Sequence, residues 1–281
     1  MISHSKKTII FLLLILGVAI FFRFYQLAEI PPGLYPDVAI NGNDALTALR
    51  TGHFKIFYPE NNGREGLFIN LIALSFAIFG VSVWAIKIVP AVIGTLTVLG
   101  LYLLTKELFR KESIALISSL FLAISFWHVN FSRLGFRAIM VPFFLVWSFY
   151  FLFKGLSRKD KKNTFWNAQF CEQAWFPPQA EERTKLASER ASLGRANDSR
   201  RYFFCLFYLI LAGIFFGLGF NTYIAFRIAP LILIPIMLIA FISYWPRFKA
   251  LWREKLSFSK LFKQVYLKDG WWKWNIFFAA I

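Results

Sequence analysis

The chain has 281 residues, of which 58% are hydrophobic and 20% aromatic, with 35 Phe among them. Soluble proteins hold about 45–50% apolar residues, so globular, collagen-like and wholly disordered chains are excluded, and two Cys build no disulfide framework. The formal net charge of +17 fits loops that collect Lys and Arg on the cytoplasmic side of a membrane and meet anionic headgroups. No nucleic-acid-binding motif accompanies it.

A crossing helix needs about 20 mostly apolar residues. The first run covers residues 8–22, after Lys6 and Lys7, and continues into Phe22-Arg23-Phe24-Tyr25 with no small-residue cleavage site. It reads as an uncleaved anchor with a cytoplasmic N-terminus. Further crossings are expected at about 88–107, 114–131, 138–155, 202–219 and 228–244, and a seventh run begins near Asn275. That run stops at Ile281, so the sequence is expected to be a C-terminally truncated fragment. Residues 1–158 form an N-terminal transmembrane module, and residues 202–281 bring further helices. Between them, 159–201 is a polar insert, partly helical or disordered, with no visible chemistry.

The stretch 66–80 is apolar but only 15 residues long. Parity decides its place. Residues 154–201 carry 11 Lys/Arg and 6 acids, residues 245–273 carry 8 and 2, and Arg110-Lys111 marks a third basic turn. All three are cytoplasmic only if 66–80 does not cross. It is therefore expected to be a juxtamembrane or re-entrant helix within one long external segment, residues 26–86. That segment has turn signals at Pro31-Pro32-Gly33, Pro36, Pro59 and Asn61-Asn62-Gly63. Residues 41–49 form a short surface helix between them.

Polar residues near the external face carry the chemistry. Asp37 opens the surface helix. It is either a helix N-cap or a general base that activates an acceptor hydroxyl. Asp44, seven residues on, shares its face if the helix is continuous and reads as a solvated surface acid. Arg64 precedes the juxtamembrane helix and suits a phosphate or an interfacial anchor, with Glu65 as its partner. Arg133 and Arg137 lie in an external turn, against the positive-inside trend. Tyr223 and Arg227 lie in a second such turn. His128 reads as a hydrogen-bonded core residue. Several arginines beneath a carboxylate point to an anionic, phosphate-bearing lipid substrate. The sequence has no Gly-rich phosphate loop, zinc spacing or Ser–His arrangement, so no metal site is expected.

The string Pro31-Pro32-Gly33-Leu34-Tyr35-Pro36-Asp37 with Asn41-Gly42, followed by Tyr58-Pro59-Glu60-Asn61-Asn62-Gly63-Arg64-Glu65-Gly66-Leu67-Phe68, resembles family-39 glycosyltransferases. These belong to the C-type membrane superfamily, with protein O-mannosyltransferases and lipid A aminoarabinose transferases. The turns Phe131-Ser132-Arg133-Leu134-Gly135-Phe136-Arg137 and Tyr223-Ile224-Ala225-Phe226-Arg227-Ile228-Ala229-Pro230 also resemble that family. The resemblance implies an all-α polytopic module with juxtamembrane helices in a long first external loop. It implies transfer of a sugar from a polyprenyl-phosphate donor to a lipid or protein acceptor on the outer face of the plasma membrane. Asp37 takes the place of the catalytic base, Arg64 that of the contact to the lipid phosphate, and Arg133 and Arg137 that of a turn facing the site. The family often has Asp-Glu where this chain has Asp37-Val38, which weakens the case for a divalent metal. An inactive relic of the family and a lipid or solute transporter are the competing readings.

Overall fold

The computed structural model describes residues 4–157 and 196–236, with single positions at 238, 242, 276 and 279. The helices are α1 (His4–Phe24), α2 (Pro36–Thr51), α3 (Gly66–Phe79), α4 (Val83–Phe109), α5 (Glu112–Ile124), α6 (Phe126–Leu134), α7 (Met140–Ser157) and α8 (Ala196–Gly219). Short 3-10 segments cover Arg137–Ile139 and Ile224–Ile228. The strands are β1 (Phe57–Tyr58) and β2 (Arg64–Glu65), an antiparallel pair with Tyr58 opposite Arg64.

Among the described residues, three helices are long and apolar enough to cross a membrane: 6–24, 83–109 and 137–156. The bent pair α5–α6 makes a fourth. α1, α4 and α5 carry large exposed apolar side chains, such as Phe11 and Leu14 on α1, Val92 and Leu96 on α4 and Phe121 on α5, as lipid-facing surfaces do. The chain is an all-α polytopic membrane protein. Helix α3 has 14 residues, about 21 Å at 1.5 Å per residue, which is short of a bilayer core of about 30 Å. The expectation for 66–80 thus finds a separate short helix bounded by Gly80 at φ 79°.

The expected crossing at 114–131 falls on this bent pair rather than on a straight helix. The helix breaks at Ser125, and α5 and α6 meet at 54°. A broken helix leaves backbone carbonyls without amide partners. Arg23, fully buried in the last turn of α1, supplies the donors. Its Nη1 donates to the Ala123 carbonyl at 3.1 Å and to Ala19 at 3.0 Å, and its Nη2 donates to Leu122 at 3.3 Å. Nη2 also lies 2.8 Å from His128 Nδ1. Because arginine only donates, His128 accepts at Nδ1 and carries its proton on Nε2. Below this clamp, Ile15, Ala19, Val98 and Ala123 form a small apolar core.

The described residues fall into two compact units, 1–150 with 215–227 and 151–214 with 228–281. In the second, the α7 end and α8 pack through Cys205, whose thiol donates to the Gly155 carbonyl, and through Phe151 stacked on Tyr208. The expected crossing at 202–219 falls on α8, whose apolar part, 204–219, is shorter than the three helices long enough to cross. Most of the insert at 159–201, the far half of the expected crossing at 228–244 and nearly all of the run from Asn275 lie outside the described residues.

Candidate functional site

The site lies in the first unit, where α1 ends and α4 begins. Helix α2 starts with Pro36 at its first position, where the missing N–H costs nothing. Asp37 follows in the first turn, and Arg50 lies in the last, complementing the helix dipole. The helix ends at Gly52, which is left-handed at φ 71°. Tyr35, not Asp37, holds the N-cap position. Asp37 is exposed, and its Oδ1 accepts from Asn61 Nδ2 at 3.0 Å.

The hairpin β1–β2 docks along one face of α2. Residues 37, 41 and 44 lie at i, i+4 and i+7, a single helical stripe. Asn61 meets Asp37, and Arg64 meets the other two. Arg64 is 1% exposed. Its Nη1 donates to Asn41 Oδ1 at 2.7 Å, its Nη2 pairs with Asp44, and its Nε donates to the Glu60 carbonyl at 3.3 Å. Asp44 is thus not a solvated surface acid. It is the counter-ion of a buried arginine. Tyr58, opposite Arg64, is also buried, and its hydroxyl donates to Asn70 Oδ1 on α3 at 3.0 Å. Burial raises the Tyr58 phenol above its ordinary range.

Successive strand residues face opposite ways, so Glu65 points away from α2. Arg137 Nη1 donates to Glu65 Oε2 at 2.7 Å, and Arg227 Nη2 lies 3.6 Å from Oε1. The Glu65 side chain is 8% exposed and that of Arg227 61%. The Arg137 guanidinium sits over the Tyr223 ring, 5.6 Å from its centroid. Arg137 also lies within the electrostatic reach of Asp37. The hairpin therefore links five of the seven expected residues: Asp37 through Asn61, Arg137 and Arg227 through Glu65, and Tyr223 beneath Arg137. Arg64 lies behind them, tying the hairpin to α2.

Arg133 faces elsewhere. It is buried, and its guanidinium donates to the carbonyls of Phe22, Tyr25 and Ile30, each at 2.7 Å. These carbonyls belong to the end of α1 and the loop after it. Lys87, also buried, donates from Nζ to the Pro31 carbonyl at 2.7 Å. Both cations hold the strand that leads into Asp37.

Val38, fully buried, packs against the turn that ends α6. There Gly135 has φ 90°, and a Cβ on it would lie 2.7 Å from Val38 Cγ1. Position 38 thus faces packing rather than the Asp37 carboxylate. Gly135→Ala is expected to lower stability by about 2 kcal/mol through positive φ and the clash. Val38→Ala in the same chain relieves the clash alone. Thermal unfolding of the two single variants and the double variant measures this, and strictly additive losses would refute the contact.

Among the described residues, no three His, Cys, Asp or Glu side chains come together as a metal site. Sequence reasoning missed the roles of Asn41, Asn61 and Lys87. The i, i+4, i+7 spacing from Asp37 marked Asn41 and Asp44 as one stripe. Nothing local marked Asn61, because its contact depends on the turn conformation.

Residues 67–170 match the family model described as dolichyl-phosphate-mannose-protein mannosyltransferase. An uncharacterized protein of Aquifex aeolicus (strain VF5) is 28% identical over 163 residues, which is 56% of this chain and 32% of that protein. The chain thus spans about a third of the length of the curated relative it matches. Among solved structures, it resembles the archaeal oligosaccharyltransferase AglB from Archaeoglobus fulgidus, determined in complex with an inhibitory peptide and a dolichol-phosphate. The TM-score is 0.57 at 17% identity, covering 88% of this chain and 29% of that one. The likeness shows the fold, a bundle of transmembrane helices arranged as in that membrane protein. The resemblance to family-39 glycosyltransferases carried by the motifs holds.

Proposed function

We propose that this chain is a membrane glycosyltransferase that moves a sugar from a polyprenyl-phosphate carrier to a lipid or protein acceptor. The observation that carries the reading is one hairpin that meets the exposed carboxylate Asp37 through Asn61 and the cations Arg137 and Arg227 through Glu65. The matched family is described by a polyprenyl-phosphate mannose donor, and such a donor has a phosphate for the cations and an anomeric carbon for attack.

In this reading Asp37 accepts the proton of the acceptor hydroxyl. The acceptor oxygen bonds to the anomeric carbon as the bond from that carbon to the phosphate oxygen breaks. The electron pair leaves on the phosphate, where positive charge already placed stabilises it. Arg137, held by Glu65 and Tyr223, is the fixed cation. Arg227 is exposed and less closely held, so it can reach for a phosphate. Arg64 and Arg133 take positioning roles, because their guanidinium groups are buried among partners of the protein's own. In this reading the N-terminus lies in the cytoplasm and the site on the outer side of the plasma membrane, which the basic segments support.

Arg227→Ala is expected to raise the KM for dolichyl-phosphate mannose about tenfold, the scale of one charge-assisted contact, and to leave the thermal unfolding midpoint unchanged. Sugar transfer in membranes at varied donor concentration tests this. An unaltered KM would remove Arg227 from the donor site.

A further inference from the structure

We propose that Asn61 is the positioning residue of the candidate base. Its amide fixes one carboxylate oxygen of Asp37 and leaves the other to the acceptor hydroxyl. The inference rests on the reading of Asp37 as the base.

The contact is Asn61 Nδ2 to Asp37 Oδ1, 3.0 Å. Both residues are exposed, and an isolated exposed hydrogen bond contributes little. The turn that carries Asn61 gives the contact its weight. Asn61, Asn62 and Gly63 are left-handed in succession, at φ 52°, 65° and 80°. Two non-glycine residues in that region each cost about 1 kcal/mol or more. Something must hold them there. The Gly63 N–H donates to the Glu60 carbonyl at 3.3 Å. The ladder pairs Tyr58 with Arg64, and Arg64 binds Asn41 and Asp44 on α2. A Cβ on Gly63 would lie 2.5 Å from the Phe57 ring, so the turn is closed tightly against β1. The hairpin is therefore locked to the helix that carries Asp37, and the turn cannot swing away without breaking the Arg64 contacts.

A turn that needed only left-handed backbone would be served at lower cost by glycine, as at Gly63. Asparagine at 61 adds what glycine lacks, a neutral donor aimed at the carboxylate. Amide nitrogen takes no proton from a hydroxyl, so Asn61 does not compete for the acceptor's proton. With Oδ1 engaged, that proton goes to Oδ2. A base fixed in one orientation avoids the loss that misplacement brings.

Asn61→Gly and Asn61→Asp both keep a residue suited to positive φ and remove the amide donor. Asp37 is labelled in membranes carrying the full chain, with a water-soluble carbodiimide and an amine, and the modified peptide is followed by mass. In Asn61→Gly the labelling rate of Asp37 is expected to rise about threefold, the scale of one lost hydrogen bond. With dolichyl-phosphate mannose as donor probe, kcat is expected to fall about tenfold, with the donor KM unchanged, in both variants. Asn61→Gln, which keeps an amide one methylene further out, recovers part of the loss. Labelling and kcat that ignore Asn61→Gly overturn the proposal, since a purely turn-forming residue would behave so. No transfer by the wild-type chain, with labelling still responsive, overturns the base reading and the purpose assigned to Asn61. The two failures are distinct.

Discussion

Asp37→Asn is expected to lower sugar transfer from a labelled polyprenyl-phosphate sugar by about 100- to 10,000-fold, the range of a lost general base. The substitution is nearly isosteric and lies on an exposed side chain, so α2 and its docked hairpin remain. The chain should insert to the same level and unfold at the same temperature. The Asn61 amide can still meet the new side-chain oxygen, so the loss reports the missing proton acceptor rather than a moved loop. Transfer that survives in Asp37→Asn would place the base elsewhere, and Glu65 would be examined next as the other carboxylate at the site.

Arg64→Ala is expected to fail differently. The variant loses the buried guanidinium that joins β2 to α2 and leaves Asp44 and Asn41 facing a cavity. Removing one partner of a largely buried ion pair costs about 3–5 kcal/mol. The hairpin should detach, carrying Asn61 away from Asp37 and Glu65 away from Arg137. Protease cleavage between residues 52 and 65 and a lowered unfolding temperature measure this. Transfer falls with the fold, and no donor concentration restores it. An Arg64→Ala chain with a wild-type unfolding temperature but a raised donor KM would return Arg64 to the phosphate.

These two outcomes separate what the sequence carries from what it does not. Hydropathy and charge place α1, α4 and α7 within a few residues, because a membrane span is a long local signal. Parity isolates the short helix α3. The break at Ser125 is not legible, because the donor that satisfies its carbonyls, Arg23, lies about a hundred residues earlier in the chain. Asp37 and Arg64 can both be named from motifs, but only the fold distinguishes them. One is exposed at a helix start, and the other is buried in a strand. Their chemistry as free side chains gives no such distinction. The roles of Arg133 and Lys87 are hidden for the same reason: their partners are backbone carbonyls, which every sequence has.

The buried Arg23 also bears on how the chain is made. It is the last cation of α1, which is synthesised before α5 and α6. Two of its acceptors, the Leu122 and Ala123 carbonyls, are translated about a hundred residues later. Arg133, which in turn caps the end of that helix, comes later still. During synthesis Arg23 has only its own helix to bond to, through Ala19. An arginine at the centre of a membrane helix carries an insertion penalty of about 2.5–3.5 kcal/mol on translocon scales, and one in a last turn, like Arg23, a smaller one. The full set of carbonyl acceptors for Arg23 therefore exists only once α5 has been made. The contacts that bury Arg23 thus join α1 to an element made about a hundred residues after it, and close only when both are in place.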